Sequence, residues 1–201
     1  MIEFNKESKV NRVHLAYKIF GGTFLFTILF IAAVNYNFLW LFGGMPSLQE
    51  LENPKSQEAS ILISEDGEEI GKYFRENRKP VEFEELSPIL VNTLIATEDA
   101  RYVSHSGIDV RSMARVVFSI GTSGGGSTIS QQLAKNLFHT RSLEYGEEDP
   151  IYMGLLMKVG GLKTAIAKVK EWILAIKLER RYTKQEILAM YLNEVSFGNN
   201  A

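Results

Sequence analysis

The sequence predicts a mainly α-helical domain behind a single amino-terminal membrane helix, with a short β-hairpin where the folded part begins. Three observations carry that expectation: a long uncharged apolar run near the start, apolar residues spaced three and four apart through most of the remaining chain, and two helix-start signals, Ser87-Pro88 and Thr183 with Glu186 three residues on. A length of 201 residues holds one domain of ordinary size plus an anchor. Hydrophobic residues at 45% and charged residues at 23% exclude wholesale disorder. A net charge of −2 gives no electrostatic case for nucleic acid, and the absence of cysteine removes disulfides, thiolate catalysis and Cys-based zinc sites.

Residues 19–49 carry no charged side chain, and the densest part, 19–40, would make about 33 Å of helix, enough to cross a bilayer. Lys6, Lys9, Arg12 and Lys18 precede it against Glu3 and Glu7, so the positive-inside bias predicts a cytoplasmic tail over 1–18, an anchor over 19–42 and everything after it outside. A cleaved signal peptide is the alternative; the apolar run is longer than a usual signal core and no clear small-x-small cleavage site follows. Residues 43–58, with Pro46 and Pro54, read as a juxtamembrane linker, and the folded domain as 59–201. Ile61, Leu62 and Ile63, then Asp66-Gly67, then Ile70, Tyr73 and Phe74 predict a hairpin with its turn at the Asp-Gly pair. Ser87 with Pro88 opens a helix, Thr183 with Glu186 opens another, and a long helix is expected over roughly 163–182. The glycine-interrupted stretch 140–162 reads as a loop or broken helix.

Val91, Leu94, Ile95, Glu98 and Tyr102 fall at spacings of three and four, which puts Glu98 on the stripe facing the core. Burial there would raise its pKa above the ordinary value of about 4.3 and prepare it for proton transfer; neutralisation by Arg101 or Arg111 is the alternative that periodicity alone favours. Residues 121–128, Gly-Thr-Ser-Gly-Gly-Gly-Ser-Thr, lead into the apolar period Ile129, Leu133, Leu137, so a glycine loop delivers the chain to a helix tip whose amides attract anions. Ser127 stands where a nucleotide-binding P-loop needs lysine, which argues against an ATPase. On that helix Gln131 and Lys135, and Gln132 and Asn136, form adjacent polar rows, with Arg141 beyond; a solvated polar face is the bland alternative. Glu171 has Lys168 three residues before it, and an ion pair explains the two as well as function does. His14, His105 and His139 make no metal-ligand spacing. Two carboxylates and a basic, glycine-led anion site together suggest glycosyl transfer from a phosphate-activated sugar.

These segments resemble the peptidoglycan glycosyltransferases of glycosyltransferase family 51, the membrane-proximal domain of class A penicillin-binding proteins. Glu98-Asp99-Ala-Arg101-Tyr102-Val-Ser-His105-Ser-Gly107 is similar to that family's Glu-Asp-x-x-Phe/Tyr-x-x-His-x-Gly motif. Gly126-Ser127-Thr128-Ile-Ser-Gln131-Gln132-Leu-Ala-Lys135-Asn136 resembles its second motif nearly residue for residue, and Ile187-Leu188-Ala-Met-Tyr191-Leu192-Asn193, followed by Phe197-Gly198, resembles its last. The third motif departs: the family has Arg-Lys before x-x-Glu, and here the stretch is Ala167-Lys168-Val-Lys170-Glu171.

The resemblance implies a mainly α, lysozyme-like glycosyltransferase domain that polymerises lipid II with inversion, undecaprenyl pyrophosphate leaving. By that resemblance Glu98 is the base, Glu171 assists near the leaving group, and Ser127, Thr128, Gln131, Gln132, Lys135, Asn136, Arg141 and Lys168 bind substrate. It further implies a divalent cation, Mg2+ or Mn2+, with no ligand set visible in the sequence, and no organic cofactor. The expected partners are lipid II and the growing glycan strand, the lipid bilayer and cell-wall synthesis proteins. Ala201 falls inside the fourth motif, so the domain is expected to be truncated at its C-terminal end, less stable than the whole and not assured of activity by itself. A non-catalytic membrane-tethered scaffold and a lysozyme-like hydrolase are the alternatives; the basic site argues against a hydrolase, which has no pyrophosphate to hold.

Overall fold

The computed structural model describes residues 4–46, 60–67, 69–73, 80–119, 125–138, 140 and 154–195. The chain divides into two compact units, residues 1–45 with 150–166, and residues 46–149 with 167–201.

The first unit is built on helix α1 (Phe4–Asn35). Its stretch Arg12–Asn35 is 24 residues, long and apolar enough to cross a membrane by length and composition. Phe20, Phe24, Phe26 and Leu29 are all exposed, as expected of a helix whose apolar surface runs all round. The hydroxyls of Thr23 and Thr27 donate to the carbonyls of Ile19 and Thr23 at 2.8 and 2.9 Å, so they need no water. The helix stops at Asn35 rather than continuing to residue 40, and it begins at Phe4, inside the expected tail. Asn37 explains the stop. It takes the left-handed conformation (φ 46°, ψ 52°), which asparagine tolerates better than most residues, and its Oδ1 accepts from the Phe42 N–H at 3.0 Å. Beyond this corner Phe42 packs edge-on against Phe30, and the Leu156 N–H donates to the Leu41 carbonyl at 2.8 Å. Gly154 is obligatory here, because a Cβ would sit 2.2 Å from the Gly43 nitrogen.

The second unit opens with an antiparallel pair, β1 (Ser60–Ile63) and β2 (Glu69–Tyr73), registered Ser60 to Tyr73 and Leu62 to Gly71, with an irregularity between Leu62 and Ile63. Gly67 has φ +83° in the connecting turn and its N–H donates to the Ser64 carbonyl at 2.9 Å. Helices follow: α2 (Pro88–Glu98), α3 (Val110–Phe118), α4 (Ile129–Leu137), α5 (Gly160–Arg181), which enters this unit at Ala167, and α6 (Lys184–Glu194). Pro88 supplies the preset first turn of α2 after Ser87. Thr183 and Glu186 close a capping box: Thr183 Oγ1 accepts from the Glu186 N–H at 3.2 Å and Glu186 Oε2 accepts from the Thr183 N–H at 2.7 Å.

The core of this unit lies where α4 packs on α6. Ile129, Leu133 and Ala134 of α4, Leu174, Ala175 and Leu178 of α5, and Ile187, Leu188 and Tyr191 of α6 are buried, each large one contributing roughly 1.5–3 kcal/mol. Asn193 secures the far end of α6, its Oδ1 accepting from the Val81 N–H at 3.0 Å and its Nδ2 donating to the Val81 carbonyl at 2.9 Å. Gly107 lets the segment between α2 and α3 approach α5: its φ is +91° and a Cβ would lie 2.8 Å from the Ala175 carbonyl oxygen.

Candidate active site

Helix α2 ends between two adjacent acids, and the ending separates their fates. Asp99 leaves helical geometry (φ −154°, ψ 71°) and turns its side chain inward, where it is buried. Glu98, the last helical residue, is exposed. The expected burial of Glu98 is therefore corrected: Val91 is buried and Leu94 and Ile95 are half-buried, but the inward stripe passes to Asp99 where the helix stops. Neutralisation by Arg101 does not occur either, since that guanidinium goes to Asp109. Glu98 instead accepts a hydrogen bond from Gln132 Nε2 at 2.9 Å, and Gln132 Oε1 accepts from the Tyr191 hydroxyl at 3.0 Å. Burial, then the Glu98 charge, raises the Tyr191 pKa above the ordinary phenol value, so this hydroxyl keeps its proton.

Asp99 accounts for another departure. Its Oδ2 accepts from the Ile129 N–H at 3.1 Å, and both its oxygens accept from His105 Nε2 at 3.0 and 3.1 Å. The Gln131 N–H is satisfied by Thr128 Oγ1 at 3.2 Å. The tip of α4, which the glycine loop marks as an anion site, thus already holds the protein's own carboxylate. Thr128 and Gln131, expected on the substrate, are buried and donate to the Gly107 carbonyl at 2.7 and 3.3 Å. They tie the second motif to the first.

Arg101 and Asp109 pair at 2.6 Å on the neighbouring wall. Asp109 also caps α3, its Oδ1 accepting from the Arg111 and Ser112 N–H groups at 3.0 and 3.2 Å. Burial alone would raise its pKa, but hydrogen bonds from Arg101 and Ser112 and the Arg101 charge outweigh it and hold the carboxyl at about 2. A cleft of about 310 Å³ opens beside this pair; Glu98, Arg101, Arg115, Gly126 and Ser127 are among its lining residues. Gly126 lets this segment lie close against α3, since a Cβ there would lie 2.9 Å from Val116 Cγ2.

Lys168 reaches from α5, donating to Ser127 Oγ at 2.7 Å and to Glu171 Oε2 at 2.9 Å. Glu171 is buried and also accepts from the Thr140 hydroxyl at 3.3 Å. The i, i+3 pair read from the sequence is present, and Ser127 joins it. Lys135 is exposed on α4 and Asn136 is half-buried; neither lines the cleft. Arg141, Phe197 and Gly198 lie outside the described residues. Sequence reasoning assigned no role to Asp99 or Tyr191; an acid directly after a helical Glu, and a Tyr one turn beyond Ile187 on an apolar face, were the available signals. Among the described residues no three His, Asp or Glu side chains converge as a metal-ligand set.

The site joins an exposed carboxylate and a cation-bearing hydroxyl across one cleft, as acid-base chemistry on an anionic substrate requires. A family model described as Transglycosylase matches residues 66–201, and the chain belongs to that family, with its lysozyme-like, mainly helical fold. It is 38% identical over 145 residues to penicillin-binding protein 1F of Bacillus subtilis, covering 70% of this chain and 18% of that one. It is 32% identical over 168 residues to penicillin-binding protein 1A of Pseudomonas aeruginosa (82% of this chain, 18% of the relative), and 34% identical over 161 residues to penicillin-binding protein 1A of Escherichia coli (78% and 17%). The chain thus spans about a fifth of the length of these relatives.

Proposed function

We propose that this chain carries the peptidoglycan glycosyltransferase activity of a cell-wall synthase, polymerising lipid II into glycan strands, with α1 (Phe4–Asn35) as its membrane anchor and the folded domain outside. The observation that supports it most is that Glu98 and Ser127 line the same cleft, with Ser127 in turn bonded to the Lys168 ammonium. In this reading Glu98 accepts the proton of the acceptor's 4-hydroxyl as that oxygen bonds to the donor's anomeric carbon. The bond from that carbon to the pyrophosphate oxygen breaks with inversion, and the lipid pyrophosphate departs with the electron pair. Lys168 and Ser127 meet the charge that develops on it. The four basic residues Lys6, Lys9, Arg12 and Lys18 support a cytoplasmic amino terminus. A tether to the membrane confines the search for a lipid-linked donor to the membrane plane.

Product analysis tests the reading. The full chain incubated with lipid II should yield glycan polymer and undecaprenyl pyrophosphate in step. Binding of lipid II without polymer would instead identify a scaffold, and soluble fragments released from preformed glycan would identify a hydrolase.

A further inference from the structure

We propose that Tyr191 is a positioning residue for Glu98 and acts through the Gln132 amide. The inference rests on the reading of Glu98 as the base, and it reassigns Gln132 from substrate binding to support of that base. Gln132 stands between a phenol on α6 and a carboxylate at the end of α2, with its two polar atoms 3.0 and 2.9 Å from them. A carboxylate only accepts, so the amide must offer it Nε2. That leaves Oε1 for the phenol, which must then donate. The opposite orientation would set two acceptor oxygens against each other at Glu98. Tyr191 is 5% exposed and stays protonated, so its side of the bridge is fixed, whereas Glu98 is exposed and would otherwise sample several rotamers. The bridge also crosses elements distant in sequence: 34 residues separate Gln132 from Glu98 and 59 separate it from Tyr191. It therefore couples the first, second and last motifs at the carboxylate itself.

A positioning role and a packing role differ in what they change. Tyr191→Phe keeps the ring and its packing and removes only the donor; Gln132→Met keeps the length and removes both polar atoms. In the full chain with lipid II, Tyr191→Phe is expected to lower kcat about tenfold with KM and lipid II affinity within about twofold of wild type, the loss of one hydrogen bond to a charged network. Gln132→Met should lose at least as much. The double variant should be no slower than Gln132→Met alone, because the phenol has nothing to orient once the amide is gone. Losses that multiply in the double variant, a wild-type kcat in Tyr191→Phe, or a change confined to KM would each overturn the proposal. A wild-type chain that forms no polymer would sink the transferase reading and this inference with it; an active wild type with unaffected variants would sink this inference alone.

Discussion

Replacing Gly107 by alanine tests how the first motif is held against the rest of the domain. The added Cβ would lie 2.8 Å from the Ala175 carbonyl oxygen, 2.9 Å from the Ala175 carbonyl carbon and 3.0 Å from the Ile176 nitrogen, all backbone atoms of α5 that cannot swing aside. The residue is also at φ +91°, where a side chain costs about 1–2 kcal/mol before any clash. Overpacking against backbone adds about 1–3 kcal/mol, so about 2–5 kcal/mol is at stake. At about 2–4 °C per kcal/mol for a chain of this size, the unfolding midpoint should fall by roughly 4–20 °C. The Gly107 carbonyl that receives Thr128 and Gln131 would shift with it, so polymerisation should fall further than stability alone explains. Gly125→Ala is the control, since a Cβ there meets nothing within 4 Å. Differential scanning fluorimetry of the detergent-solubilised chain reads both variants. A Gly107→Ala midpoint within about 2 °C of wild type, a margin of about 1 kcal/mol, would refute the close packing of this segment on α5.

Thr183→Ala removes the capping box of α6 and should destabilise the chain by about 1 kcal/mol in denaturant titration, with Thr183→Ser restoring most of it. Lys168→Ala takes the ammonium from Ser127 and should lower kcat/KM for lipid II at least tenfold, whereas Lys135→Ala, on an exposed turn away from the cleft, should change it less than threefold. Asp109 binds its proton more weakly in the folded chain than unfolded, so its contribution to stability is complete above about pH 4 and is lost as pH falls towards 2. Asp109→Asn should flatten the acid limb of a stability-against-pH curve over that window.

What could be read from sequence was local. Ser87-Pro88 marks a true helix start through the preset backbone of Pro88, and Thr183 with Glu186 through a capping box, and both act within one turn. The Lys168–Glu171 pair was legible for the same reason. Long-range partners were not. The occupant of the α4 tip is Asp99, 30 residues upstream of Ile129, and the partner joining Lys168 to the cleft is Ser127, 41 residues away. The misplacement of Glu98 has a different cause. A periodic stripe assumes that the helix continues, and here it stops at that residue, so the neighbouring acid takes the inward position. The amino-terminal helix shows the same pattern: the apolar run marks that a helix is there, but it starts at Phe4 and ends at Asn35, just before a left-handed asparagine, rather than spanning 19–42.

The most direct measurement is the initial rate of lipid II polymerisation by wild type and by Glu98→Gln, alongside lipid II binding to each. Glutamine keeps the shape and can still accept from Gln132 but takes up no proton from the attacking hydroxyl. The rate should fall by about 10²–10⁴-fold with binding unchanged, the range typical of a lost general base. A variant that binds lipid II and polymerises it within threefold of the wild-type rate would contradict the assignment of Glu98 and the chemistry built on it.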